Sequence, residues 1–215
     1  MKLVVFDLDG TLVDSRRDLA DAANALLEES GSTPLPEAAI GRMVGDGAAV
    51  LVSRVFEAAK LKPPAAALDR FLALYDARLL HHTRPYPQMA SVLSELSLRA
   101  RLAVLTNKPI DATRRVLAGL DLARFFARDD VVGGDGPLAR KPDPAGLLHL
   151  VARAGTTAAE TTMVGDSVID WRTAKRASTG VCLARYGYGF EGFPVEQLEG
   201  DERLADSAER LLDLL

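Results

Sequence analysis

Two aspartates in the segment FDLDGT (residues 6–11) directly follow a short apolar run. Side chains at alternate positions of an extended chain lie on one side, so the Asp7 and Asp9 carboxylates would crowd and repel each other. At ~4 Å this repulsion is roughly 1 kcal/mol in water and about 4 kcal/mol at an effective dielectric of 20. A divalent cation or a bound proton would offset it, whereas one aspartate alone could simply cap a turn.

The chain offers such a cation mainly oxygen ligands. Neither the HExxH nor the CxxC spacing of zinc sites occurs, and oxygen-rich surroundings favour Mg²⁺. A second acidic pair, Asp166 and Asp170 in VGDSVID, has the i, i+4 spacing that places both residues on one helix face if Ser167 opens a helix. Asp166 taken alone could instead be a helix N-cap.

Three further residues suit an anionic ligand. Thr106 and Asn107 follow an apolar run and could donate hydrogen bonds to an anion, although turn capping would explain them equally well. Lys141 lies in RKPDP, where Pro142 and Pro144 stiffen the loop. Because arginine outnumbers lysine 20 to 6, a lysine at this position is notable, and its compact ammonium suits a phosphate oxygen.

Taken together, these groups indicate phosphoryl transfer. An anionic nucleophile must reach an anionic phosphate, so catalysis depends on charge cancellation and on positioning. An aspartate can form a covalent acyl-phosphate and so divide the difficult step in two. The second carboxylate, the hydroxyl, the ammonium and Mg²⁺ would supply the remaining functions.

Short apolar runs without alternation, typical of strands buried on both faces, precede most of these polar segments. The runs are residues 3–6, 102–105, 130–132, 162–164 and 181–183. Helical periodicity lies between most of them, for example at Leu147, Leu148 and Val151. This alternation predicts an α/β fold with a doubly wound parallel sheet, whose ligands bind at the carboxyl ends of the strands.

Residues 14–83 differ from the rest because they contain helical stripes and no strand-like run. They are predicted to form a helical cap, inserted into a catalytic α/β core of residues 1–13 and 84–215. The two prolines in TRPYP (83–87) cannot continue a helix and mark the return to the core.

Composition excludes several classes of function. The net charge of −4 and a pI near 5.5 give no indication of a nucleic acid or an anionic membrane as partner. No run approaches the length of a membrane span, and the N-terminus is not expected to be a signal peptide. One cysteine, Cys182, allows no internal disulfide, which fits a cytoplasmic protein. Oligomeric state is left open between monomer and homodimer.

Four segments in order resemble the motifs of the haloacid dehalogenase superfamily. They are FDLDGTLVDS, LTNK, the lysine of KPDP, and VGDSVID. The resemblance spans nearly the whole chain and implies a Rossmann-like core, with residues 14–83 as the helical cap.

The resemblance implies a role for each matching residue. Asp7 would be the nucleophile that becomes phosphorylated, and Asp9 would protonate the leaving alkoxide and then deprotonate the hydrolytic water. Thr106 and Lys141 would hold the phosphoryl oxygens.

The remaining implied positions bind phosphate and metal. Gly10 and Asn107 are assigned to phosphate binding. Mg²⁺ would be bound by the Asp7 carboxylate, the Asp9 backbone carbonyl and Asp166, with Asp170 supporting it.

Within the superfamily, RMVGDGAAVLV, PYP and YGYG resemble the phosphoglycolate phosphatases, which implies 2-phosphoglycolate as substrate. Arg42, Gly45, Asp46 and Gly47, in a loop between two cap helices, are the predicted substrate-binding residues, because arginine suits a carboxylate. A solvated arginine, a helix-ending glycine and an aspartate N-cap would explain the same loop.

Other functions remain as alternatives. A phosphatase could act on a sugar phosphate or on pyrophosphate. A dehalogenase would not need Asp9, a phosphonate hydrolase would need a reactive cap lysine, and a sugar phosphomutase would need a histidine in the first cap helix. A phospho-signalling module also combines aspartates, a hydroxyl and a lysine, but it needs no cap of this size.

Overall fold

A six-stranded parallel sheet forms the centre of the computed structural model, which describes residues 2–215. Its strands are β1 (Lys2–Phe6), β4 (Ala100–Leu105), β5 (Val131–Val132), β6 (Thr161–Gly165), β7 (Gly180–Ala184) and β8 (Arg203–Ala205). They lie in the order β5-β4-β1-β6-β7-β8. The predicted doubly wound α/β fold is confirmed. Four of the five apolar runs lie wholly in strands, and Asp130 of the run 130–132 lies in the 3₁₀ turn before β5. Strand β8 was not predicted.

The central position of β1 explains why its apolar run does not alternate. Val4 and Phe6 belong to one hydrophobic cluster, whereas Leu3 and Val5 belong to the other. Both faces of the strand are therefore covered. On each side β1 pairs in parallel, with Val5 opposite Ala103 of β4 and opposite Met163 of β6.

Helices cover both faces of the sheet. Those outside the region between Asp14 and Arg84 are α5 (Met89–Ser97), α6 (Ile110–Gly119), α7 (Ala145–Ala154), α8 (Val168–Ala177) and α9 (Leu211–Leu214). In α7 the predicted stripe is partly wrong. Leu148 is 44% exposed, and Leu150 is buried beside Leu147 and Val151, because the i, i+3, i+4 spacing from Leu147 leads to those two residues.

Four helices lie between two short strands near the start of the chain. The helices are α1 (Arg16–Glu29), α2 (Glu37–Gly41), α3 (Ala48–Ala58) and α4 (Ala67–Asp76). The strands β2 (Val13–Asp14) and β3 (Arg84–Pro85) pair antiparallel, so the chain enters and leaves this helical region at one place. The division into domains at residues 13/14 and 83/84 remains a prediction.

A buried aspartate ties the exit of the helical region to its entry. The Asp18 carboxylate in α1 accepts hydrogen bonds of 2.7–3.0 Å from the backbone N–H groups of His82 and Thr83 and from the Thr83 hydroxyl. These bonds satisfy polar groups that would be costly to bury unpaired. Among residues 2–215, no helix has the length and apolar character needed to cross a membrane.

Candidate active site

Asp7 lies at the carboxyl end of β1. Its backbone N–H donates to the carbonyl oxygen of Val164 in β6 at 2.9 Å, so strand pairing positions the residue as the chain leaves the sheet. The Lys141 ammonium lies 2.8 Å from Asp7 Oδ1, but its aligned hydrogen bond goes to Asp170. Within residues 2–215, Oδ1 accepts no aligned hydrogen bond. Asp7 therefore presents a buried carboxylate at the end of β1 whose Oδ1 contacts the Lys141 ammonium.

Lys141 is held from the start of α8. Its ammonium donates a hydrogen bond of 2.6 Å to Asp170 Oδ1. Asp170 Oδ2 accepts from the Ser167 hydroxyl at 2.6 Å and from the Ser167 N–H at 3.2 Å, in a capping box. Both oxygens of Asp170 are thus engaged, and the residue orients Lys141 beside Asp7.

Asp166 follows β6 and is enclosed by backbone. The Gly189 N–H donates to Oδ2 at 2.7 Å and the Thr11 hydroxyl to Oδ1 at 3.3 Å. A Cβ atom at Gly10, Gly187 or Gly189 would lie 1.9, 2.3 or 2.7 Å from an atom of the Asp166 side chain. The sequence alone did not indicate a physical role for the segment YGYG. In the structure, its glycines allow the chain to pack closely over Asp166.

The carboxylate oxygens of Asp7, Asp166 and Asp170 lie within 4.8 Å of one another. Burial raises the pKa of Asp7 to about 7, even though Lys141 acts in the opposite direction. Burial also raises the pKa of Asp166 well above its usual range, and the neighbouring acids add to this effect. When ionised, the three buried carboxylates carry more negative charge than the Lys141 ammonium can offset. Their oxygen atoms are suitable ligands for a divalent cation, which would offset the remainder.

Asp9 contacts two residues that the sequence analysis did not select. The Ser15 hydroxyl donates to Asp9 Oδ1 at 2.6 Å, and the buried Lys108 ammonium lies 3.0 and 3.1 Å from the two carboxylate oxygens. Lys108 also donates to the hydroxyl of Tyr75 in α4. The scarcity of lysine drew attention to Lys141. It applied equally to Lys108, which lies in the segment LTNK together with Thr106.

Thr106 is buried at the end of β4. Its backbone N–H donates to Val132 O at 3.0 Å, and its hydroxyl oxygen accepts from the Lys108 N–H at 3.2 Å. The hydroxyl hydrogen has no acceptor among residues 2–215, so it can donate to an anion bound beside Asp7.

Asn107 joins three parts of the site. Its side-chain amide donates to Gly45 O in the cap loop and to Lys141 O, each at 2.9 Å. Since both amide hydrogens are engaged, the side chain has none left for phosphate. The backbone N–H groups of Asp9 and Asn107 have no acceptor among residues 2–215 and are available donors.

The cap loop between α2 and α3 turns on two glycines. Gly45 and Gly47 have φ values of +124° and +92°, which favour glycine. Asp46 forms an ion pair of 2.7 Å with Arg54. Arg42 lies at the surface and its Nη1 is 3.7 Å from a Glu191 carboxylate oxygen. A substrate-binding role for this loop remains a prediction.

A cavity of about 380 Å³ lies between the cap helices and the carboxyl ends of β1 and β4. The core contributes polar lining residues, namely Asp7, Asp9, Thr106, Asn107 and Lys108. The cap contributes a mostly apolar wall, with Val44, Ala48, Leu51, Phe71, Leu72 and Tyr75 among its residues. Arg42 does not line the cavity in this conformation, whereas Gly45 and Gly47 do.

The sequence model of haloacid dehalogenase-like hydrolases matches residues 4–184. The chain belongs to this family. The matched range contains Asp7, Asp9, Thr106, Lys141 and Asp166. The roles of these residues remain predictions.

Two curated relatives in the family are named phosphoglycolate phosphatase. The protein from Rhodospirillum rubrum is 46% identical over 206 residues, covering 92% of this chain and 84% of the relative. The plasmid-encoded protein from Cupriavidus necator is 37% identical over 219 residues, covering 99% and 92%. A solved structure, described as a predicted phosphoglycolate phosphatase from Haemophilus somnus, superimposes with a TM-score of 0.90 at 29% identity and covers 100% of this chain and 97% of that one.

Proposed function

We propose that this hydrolase is a Mg²⁺-dependent phosphatase that acts through an aspartyl-phosphate on 2-phosphoglycolate. Phosphoric monoester hydrolysis is the activity class to which the family and the named relatives assign the chain. The observation that carries the mechanism is the Asp7 carboxylate, which is buried, lines the cavity and has the Lys141 ammonium 2.8 Å from its Oδ1.

In the first step, a carboxylate oxygen of Asp7 attacks phosphorus and the bond from phosphorus to the substrate oxygen breaks. Asp9 donates a proton to that leaving oxygen. In the second step, Asp9 removes a proton from water as the water attacks phosphorus, which releases phosphate and restores Asp7. Two easier steps replace a difficult one, and one carboxyl group acts as acid and then as base.

Charge and hydrogen-bond donors around Asp7 support this reaction. The Lys141 ammonium lies 2.8 Å from Asp7 and offsets the charge of the transferring phosphoryl group. The Thr106 hydroxyl and the backbone N–H groups of Asp9 and Asn107 are the donors available to its oxygens. Such fixed donors stabilise charge without reorganising during the reaction.

Asp7, the Asp9 backbone carbonyl and Asp166 would hold Mg²⁺, with Asp170 supporting the site through Lys141. When all groups are ionised, the four carboxylates Asp7, Asp9, Asp166 and Asp170 exceed the two ammonium groups of Lys108 and Lys141 by two negative charges. A bound Mg²⁺ supplies that missing charge and polarises a phosphoryl oxygen.

The substrate proposal rests on the relatives and on the cavity. A space of about 380 Å³ is at the small end of ligand sites, which span roughly 300–1,000 Å³. Its cap wall is mostly apolar, with Tyr75 and Asp76 as polar exceptions, and Lys108 is the cation among its lining residues, which suits a short acid better than a polyhydroxylated sugar phosphate. The cap loop residues Gly45, Asp46 and Gly47, with Arg42, would contribute to substrate selection.

The test is steady-state hydrolysis of 2-phosphoglycolate, glucose 6-phosphate, pyrophosphate and p-nitrophenyl phosphate, with Mg²⁺ and with EDTA. Asp7→Asn should remove activity, and Asp9→Asn should lower it at least 100-fold. As a matched control, Asp69→Asn changes an exposed cap aspartate and should have little effect. Acid quenching should trap phosphate on Asp7. A long-lived phospho-Asp7 without turnover would instead indicate a signalling module.

A further inference from the structure

We propose that Tyr75 and Lys108 together recognise the carboxylate of a phosphorylated small acid. This inference rests on the proposed function and concerns how the same cavity selects its substrate. Tyr75 is contributed by cap helix α4, and Lys108 by the loop after β4.

Lys108 is the cation among the residues that line the cavity. Its ammonium is buried, with a side-chain exposure of 4%. Burial by itself lowers the pKa of this lysine, but Asp9 and Tyr75 outweigh that effect and hold the pKa above its ordinary value. The ammonium is already paired with Asp9 at 3.0 Å, and a substrate carboxylate beside it would be its second anionic partner.

Tyr75 supplies the hydrogen-bond donor. A lysine ammonium has no acceptor, so the Tyr75 oxygen must accept the hydrogen bond from Lys108. The hydroxyl hydrogen is then left to donate, and within residues 2–215 it has no acceptor. Burial raises the pKa of Tyr75 to about 12, so the hydrogen is present at neutral pH. Stacking on Phe71 at 6.1 Å between ring centroids restricts the ring.

The position of this pair suits a two-carbon acid. Asp9 must reach the oxygen that bridges phosphorus and carbon, because it protonates that oxygen. In 2-phosphoglycolate a single methylene group separates this oxygen from the carboxylate. Lys108 Nζ lies 3.0 Å from Asp9 and contacts Tyr75, so the pair lies on the side of Asp9 where such a carboxylate would be.

The experiment compares kcat/KM for 2-phosphoglycolate with kcat/KM for ethyl phosphate, which has a chain of the same length without the carboxylate. Tyr75→Phe should lower the ratio of the two about 10- to 100-fold, as expected for loss of a hydrogen bond to a charged group. Lys108→Gln should lower the ratio in the same direction. Melting temperatures establish that each variant is folded.

Tyr188→Phe is the matched control. The Tyr188 hydroxyl is 3.1 Å from the Ser15 hydroxyl, which donates to Asp9, and Tyr188 does not line the cavity. Its removal should affect both substrates alike. An unchanged ratio in folded Tyr75→Phe would overturn the inference, as would a lowered ratio confined to Arg42→Ala. If the wild-type enzyme did not prefer 2-phosphoglycolate to ethyl phosphate, the proposed substrate itself would be refuted. Failure of the proposed substrate can therefore be told apart from failure of the proposed role of Tyr75 and Lys108.

Discussion

The Gly45 carbonyl oxygen accepts a hydrogen bond of 2.9 Å from the side-chain amide of Asn107. The same amide donates to the Lys141 carbonyl oxygen at 2.9 Å. One core side chain therefore contacts both the cap loop and the segment that carries Lys141. The position of the cap loop and the position of Lys141 are linked through it.

Asn107→Ala removes both hydrogen bonds. Each neutral hydrogen bond contributes about 1 kcal/mol, so we expect KM for 2-phosphoglycolate to rise roughly 5- to 10-fold and the cap to be cleaved faster in limited proteolysis. Asn24→Ala is the matched control, because Asn24 makes two similar bonds to the backbone of Leu35 inside the cap. If both variants behaved alike, Asn107 would have only a general structural role.

Gly189→Ala should weaken metal binding. The added Cβ atom would lie 2.7 Å from Asp166 Oδ2, and the N–H that donates to this oxygen would have to move away with the chain. We expect the Mg²⁺ concentration for half-maximal activity to rise about tenfold or more. Gly136→Ala is the comparison, because its Cβ atom would be 3.7 Å from the nearest atom in an exposed loop. An unchanged Mg²⁺ requirement would show that Gly189 does not position Asp166.

The metal-free protein should show the raised pKa of Asp7 as a pH-dependent stability. Between the unperturbed pKa of 3.8 and about 7, the folded state retains a proton that the unfolded state releases. Asp7 therefore lowers the free energy of unfolding as pH rises through this window, by at most about 1.4 kcal/mol per pH unit.

Urea unfolding in EDTA at several pH values between 4 and 8 measures this effect. Asp7→Asn should gain stability relative to wild type as pH rises to about 7, and the gain should level off above that value. Mg²⁺ should stabilise the wild type more at pH 8 than at pH 5, because protons compete with the cation. A constant difference between the two proteins at every pH would show that Asp7 titrates normally.

Asp170→Asn should reduce the rate more than the affinity. It removes the charged partner 2.6 Å from Lys141 Nζ, so the ammonium loses the contact that orients it beside Asp7. We expect kcat to fall about 10- to 100-fold with a smaller change in KM. Ser167→Ala keeps that ion pair and removes only the cap hydroxyl, at a cost of about 1 kcal/mol in stability. Equal losses of kcat in both variants would show that the loss comes from the disrupted N-terminus of α8 and not from the ion pair with Lys141.

Local patterns in the sequence were sufficient for the sheet and for the loops that carry Asp7, Thr106 and Asp166. The strands other than β8 contain apolar runs because helices cover both faces of the sheet, and polar residues follow where most of these runs end. Strand β8 escaped detection because Arg203 and Leu204 are exposed at the edge of the sheet, so it lacks such a run. Helix α2 spans only five residues, too few for a periodic pattern.

The missed site residues depend on contacts between distant segments. Tyr75 lies among the apolar residues of α4, and its hydroxyl contacts Lys108 only because α4 lies opposite that residue. Gly189 was noted for its motif, but its N–H reaches Asp166 across 23 residues of chain. The local spacing of residues in the sequence does not predict either of these contacts. They follow from the way the sheet order brings the loops together.

The order of the strands also determines when the site can assemble during synthesis. Asp7 leaves the ribosome first, yet β1 pairs with β4 near residue 100 and with β6 near residue 161, and Gly189 supplies the last donor to Asp166. No nascent chain that ends before Gly189 carries the full set of contacts. The enclosure of Asp166 can therefore form only after the chain has been made as far as Gly189.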